Sequence, residues 1–116
     1  MAERTYPFIE FIPGSTHTIP AGDTVNVISG ALSTIDGAII ASDTPGVPAY
    51  LNFLDASIVV STVTFTDIDA SGGYEIDASD GTNTDGTGNT HIDFGVTAAG
   101  GSVKGMSPDI GVNVSI

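Results

Sequence analysis

Apolar and polar residues alternate in short runs along this chain, and glycine, proline and aspartate separate the runs. Tyr74 and Ile76 point one way while Glu75 and Asp77 point the other. Ile92, Phe94 and Val96 oppose His91 and Asp93, and Val112, Val114 and Ile116 oppose Asn113 and Ser115. A two-residue period of this kind predicts half-buried strands with one wet face, the habit of antiparallel sheets. No window of helical length repeats apolar residues at a 3.6-residue spacing without an interrupting Gly or Pro.

The same pattern divides the rest of the chain. Residues 24–28, 31–35 and 38–41 read as a meander, with Ser29-Gly30 and Asp36-Gly37 as turns and a type I′ hairpin at the second. Pro45-Gly46 predicts a type II turn. Residues 49–56 fit a short strand or one helical turn. Residues 57–69, "SIVVSTVTFTDID", are the longest strand candidate, with Val59, Val63 and Phe65 on one face and Ile58 and Val60 marking a doubly covered first half. The expected fold is all-β, a small antiparallel β-sandwich or barrel. No internal repeat is visible.

A chain of 116 residues holds one core. The expected division is residues 1–13 as an extended N-terminal arm or edge strand, followed by residues 14–116 as a single β domain. Pro7 and Pro13 bound the first piece, and proline cannot donate into a sheet ladder. Tyr6, Phe8, Ile9, Phe11 and Ile12 form an apolar cluster too large to leave in water on a lone monomer, which makes them the candidate partner-binding residues.

Charge narrows the partners. Fourteen acids stand against Arg4 and Lys104, for a formal net charge of −12, so nucleic acid and anionic membrane are both disfavoured. The N-terminus lacks the apolar stretch of a secretory signal, and no run is long enough to span a bilayer, so the expectation is a chain matured in the cytosol. The absence of cysteine excludes disulfides and thiolate chemistry.

The densest polar stretch is residues 77–93, "DASDGTNTDGTGNTHID". Its spacing fails an EF-hand frame at both ends, because position 1 would be Gly81 and position 12 Ile92. It reads as a long solvated connection between strands, able to reach a neighbour. Asp67 and Asp69 sit at strand spacing but next to Ser-Gly-Gly, where a wet pair is the simpler reading. His91 with Asp93 gives half of a metal site, and His17 lies elsewhere in the sequence. No nucleophile elbow or phosphate loop occurs. The chain is therefore expected to have no catalytic residues, metal or cofactor, and not to be an enzyme.

One stretch, "HTIPAGDTVNVISGALSTIDGAIIASD", resembles the small all-β head decoration (cement) proteins of tailed bacteriophages through Ala21, Gly22, Val25, Gly30, Gly37 and Ile39-Ile40. The resemblance implies a virion structural protein that binds major capsid subunits on the capsid surface, assembles in the host cytoplasm and self-associates, often as a trimer. The alternative expectation is an extracellular β-sandwich adhesion or ligand-binding module with calcium in its Asp-rich loops. An enzyme built on carboxylates alone is a third.

Overall fold

Ten short strands follow one another without a helix in the computed structural model, which describes residues 2–95. They are β1 (Glu3–Tyr6), β2 (Thr16–Ile19), β3 (Thr24–Val27), β4 (Ile39–Ser42), β5 (Ala49–Phe53), β6 (Thr64–Thr66), β7 (Ile68–Asp69), β8 (Ile76–Asp77), β9 (Thr84–Asp85) and β10 (Ile92–Asp93). One sheet has the order β1-β3-β5-β7 and a second β2-β4-β6-β9, while β8 and β10 pair alone. Every one of these pairings is parallel.

Parallel neighbours from alternate strands mean that the chain winds. Each coil lays one strand on the first sheet, crosses a narrow middle face and lays the next strand on the second sheet. Bridges from Glu10 to Thr34 and from Val59 to Asp77 stack the middle face. The fold is a parallel β-solenoid. It corrects the antiparallel sandwich or barrel expected from the alternation, while the all-β class stands. Alternation reports only that one face is buried, and a solenoid strand with a wet outer face satisfies it equally well.

Other expectations fall with the antiparallel one. Residues 24–28 and 38–41 do become β3 and β4, but they lie on different sheets. Residues 31–35 contribute a single bridge at Thr34. Asp36-Gly37 is not a type I′ hairpin, since that turn needs positive φ at both residues and only Gly37 has it, at 82°. Residues 49–56 supply a strand and no helical turn. Residues 57–69 break into a bridge and two strands because positive φ at Thr62 (59°) and Asp67 (54°) turns the chain at two corners. Residues 77–93 complete a coil, with β9 on the second sheet, instead of forming a loose connection. The run ending at Ile116 and the Lys104 region lie outside the described residues.

A structural repeat therefore exists where no sequence repeat was visible. Its step is irregular: stacked partners are 26 positions apart from Thr24 to Tyr50 but 16 apart from Ile76 to Ile92. The corners are more regular than the strands. Gly14, Gly37 and Thr62 each take positive φ two residues before β2, β4 and β6. At Gly37 a Cβ would also come within 2.9 Å of the Pro13 Cβ, so glycine answers both strain and crowding there.

Inside, apolar side chains stack in columns along the axis. Val27 lies opposite Phe53, Ile40 opposite Phe65 and Ala49 opposite Ile68, all fully buried. A polar column runs beside them. Asn26 Nδ2 donates to Glu3 Oε2 at 2.6 Å, Asn52 Nδ2 donates to Asn26 Oδ1 at 3.1 Å, and the Gly72 amide donates to Asn52 Oδ1 at 3.1 Å. Asn26 and Asn52 are buried, and this chain of bonds satisfies them while tying successive coils together.

Two truncations separate the columns. Phe53→Ala empties a fully buried aromatic site and should cost about 3–5 kcal/mol. Asn52→Ala strands the Asn26 Oδ1 and the Gly72 amide and should cost about 1–3 kcal/mol. Urea unfolding of the two variants against the parent checks both the order and the size.

Candidate functional site

Three surface features come out of this winding: an open end, an apolar flank and a set of aspartate-capped corners. At the open end, β1 and β2 are the edge strands of their sheets among the described residues. Arg4 and Tyr6 stand over Val25 and Val27 on the interior columns, and all four residues of β1 are exposed. With Ile9, Phe11, His17, Ile19 and Leu51 they line a cavity of about 310 Å³ at that end. Its walls are apolar. Arg4 and Glu10 both border it, and among the described residues neither makes an ion pair.

One polar contact at this mouth resembles catalytic machinery. Ser15 Oγ lies 2.8 Å from His17 Nε2. The serine hydroxyl, however, donates to the Ile12 carbonyl at 2.5 Å, so the imidazole Nε2–H is the donor to Ser15 Oγ. The His17 ring stacks on Phe11 with centroids 3.6 Å apart and planes 13° from parallel. Ser15 is thus a hydrogen-bonded turn residue and not an activated nucleophile.

The structure divides the five arm residues. Ile9 and Phe11 pack against the core as partly buried side chains. Tyr6, Phe8 and Ile12 remain exposed, Ile12 at 76%. Residues 2–13 are laid onto the second coil throughout: the Thr24 and Ile28 amides donate to the carbonyls of Ala2 and Tyr6, and the Phe11 amide donates to Thr34.

Phe8 also belongs to a larger feature that the sequence did not disclose. The Ile28 amide bonds to the Tyr6 carbonyl and the Leu54 amide to the Val27 carbonyl, so Pro7, Ile28 and Leu54 are the residues that leave the first sheet in successive coils, and Phe8 stands one place further on, level with Ser29. Tyr74 follows, bridged to Phe53. These four side chains are 43–53% exposed and lie near the ends of the first-sheet strands in successive coils. They are far apart in sequence, and only the coil step brings them together.

The aspartates are used at corners. Ten of the eleven accept a hydrogen bond from a backbone amide; the eleventh, Asp109, lies outside the described residues. Some bonds bridge coils, as from the Gly30 amide to Asp55 and from the Ser61 amide to Asp36. Others close a turn two residues on, as at Asp69, Asp77, Asp80, Asp85 and Asp93. Asn83 and Asn89 do similar work, accepting from the amides of Val63 and Ile68.

This use disposes of the carboxylate pair. Asp67 takes positive φ and turns its carboxylate to the Gly46 amide, while Asp69 bonds to the Ser71 amide, so the two do not share a strand face. His91 likewise sits at a corner with φ of 62°. Among the described residues no three His, Cys, Asp or Glu side chains are grouped to hold a metal ion. No helix among the described residues is long and apolar enough to cross a membrane.

No family model matches the sequence, and no curated protein or solved structure is found to be similar to it.

Two corner carboxylates sit below the ordinary aspartate value. Hydrogen bonds from the Ser79 hydroxyl and amide lower Asp77, and bonds from the Ser61 and Thr82 hydroxyls and the Thr82 amide lower Asp80. A depressed folded value stabilises the fold above the unfolded value of 3.8, and that contribution is lost as pH falls through the lower folded value. The melting temperature should therefore decline as pH drops below 3.8, and Asp80→Asn should make that acid decline shallower. Thermal unfolding as a function of pH measures the slope, and an unchanged slope would count against the corner-cap role.

Proposed function

We propose that this chain is a non-enzymatic virion structural protein that decorates a capsid and stabilises it by binding major capsid subunits. The observation that carries the reading is the set of exposed apolar residues Phe8, Ile28, Leu54 and Tyr74 near the ends of the first-sheet strands in successive coils. An exposed, pre-ordered apolar set suits association, since binding it to a partner removes apolar area from water at little ordering cost. The net charge of −12 favours a partner with a basic rim around an apolar patch. Symmetry of a shell would multiply a modest single contact into avidity. The capsid itself is suggested by the resemblance in residues 17–43.

Adhesion through calcium has less to support it. The aspartates of residues 77–93 already accept backbone amides at corners, and their geometry is that of turn caps.

The first test is the DNA on either side of the gene. A major capsid protein, portal and maturation protease nearby would identify the partner. Co-sedimentation of this protein with shells of that capsid protein should then be lost on Ile28→Asp with Leu54→Asp, with the melting temperature unchanged. Neighbouring genes for secretion or sugar chemistry, or shells that leave the protein in the supernatant, would remove the capsid reading.

A further inference from the structure

The open end differs from the flank in kind, because it offers hydrogen bonds as well as apolar area. The β1 carbonyls of Ala2 and Tyr6 face β3, accepting from Thr24 and Ile28. A parallel ladder engages alternate residues, so the N–H and C=O of Glu3 and Thr5 face the open edge. At β2, Ser15 and Ile19 accept from Ile39 and Asp43, which leaves Thr16 and Thr18 facing outward in the same way. Between the two edges lies the apolar cavity. Unpaired edges beside exposed apolar surface are what natural sheets cover or blunt.

Charge identifies what can cover this end. Residues 2–95 carry thirteen acids and one base, and only Glu3 and Glu10 share the first coil with Arg4. Residues 23–95 carry eleven of those acids and no base. Among the described residues the open end is therefore the least charged face, and a second copy placed against it holds the two acidic bodies as far apart as the shape allows. Arg4 and Glu10 line the same mouth, and among the described residues they do not pair with each other. Across a twofold axis each would meet the other's counterpart, and the pairing is made twice because such an interface is self-complementary.

We propose that the N-terminal end of the solenoid is a twofold self-association surface, on which a second copy of this chain pairs its Glu3–Tyr6 strand antiparallel to the first. Two identical edges related by a twofold axis can meet only antiparallel. Three registers exchange outward-facing groups. Glu3 opposite Glu3 sets two carboxylates together, and Glu3 opposite Thr5 sets Arg4 against Arg4. Thr5 opposite Thr5 places each Arg4 across from the other copy's Tyr6, a cation over an aromatic ring, and avoids both repulsions. Tyr6 and Arg4 then close the two cavities against each other. This surface is separate from the flank assigned to the capsid, so either reading can fail alone.

Sedimentation velocity on the full chain, up to about 1 mM, tests it. The parent chain should form a reversible dimer. Arg4→Glu and Glu10→Arg should each weaken it about tenfold or more, and so should Thr5→Pro, which removes an edge amide without touching the β3 ladder. An equimolar mixture of the Arg4→Glu and Glu10→Arg chains should recover the dimer, because every charge then faces its opposite. Circular dichroism confirms that each variant is folded. A parent chain that stays monomeric overturns the proposal. So do a trimer or larger species, a dimer indifferent to all three substitutions, and a mixture that fails to recover.

Discussion

Everything in this molecule depends on how a corner disposes of its backbone amides. A parallel solenoid pairs the amides of its strands with the coils above and below, but at each corner the chain turns out of the ladder. With ten two- to five-residue strands in residues 2–95, corners are as numerous as strands. An unpaired amide at each would cost about 1–3 kcal/mol, enough in sum to exceed the stability of a small domain. Aspartate and asparagine resolve this: their short side chains reach back to an amide two residues on, or across to the next coil. Asp55 holds the Gly30 amide, Asp36 the Ser61 amide and Asn89 the Ile68 amide.

The charge of the protein follows from that solution. A carboxylate accepts from an amide more strongly than a neutral oxygen does, and it has no donor of its own to satisfy. Aspartate is consequently favoured at corners, and the acidity is first a consequence of the winding. Among the described residues the sparse bases then leave a strong negative field over most of the surface, relieved at the first coil, where Arg4 sits. A structural requirement at the corners thus sets which end of the molecule another acidic body can approach.

The all-β class was legible in the sequence because β-branched residues, glycine and period-two alternation are local signals. Winding was not. Alternation in "TVNV" and "YLNFL" records a buried face but not the direction of the neighbouring strand. Asp36-Gly37 carries a hairpin dipeptide, yet one positive φ turns a solenoid corner where two would reverse a strand. The coil step changes too much from coil to coil to register as a period. Two clues were present nonetheless. Asn26 and Asn52 interrupt apolar runs where asparagine is disfavoured, and they proved to be stacked partners in one hydrogen-bonded column. The dense aspartates of residues 77–93 mark corners, although their composition is also that of a long solvated loop. The flank of Phe8, Ile28, Leu54 and Tyr74 had no sequence signal, since it exists only through the coil step.

A solenoid is close to one-dimensional, each coil held mainly by its neighbours, and this makes its ends unlike its flanks. A flank residue gains nothing from the repeat beyond position. Among the described residues the first coil, however, is stabilised from one side, by β3 and β4. Left at that, it would fray, and Tyr6, Ile9 and Phe11 would behave as a free arm. The Glu3–Asn26–Asn52–Gly72 chain of bonds prevents this by extending from the edge strand down through three further coils. An edge held so firmly presents its Glu3 and Thr5 backbone groups in fixed positions, which lowers the ordering entropy of any strand that adds to it. The buried asparagines therefore act at a distance, converting an apolar tail into a platform.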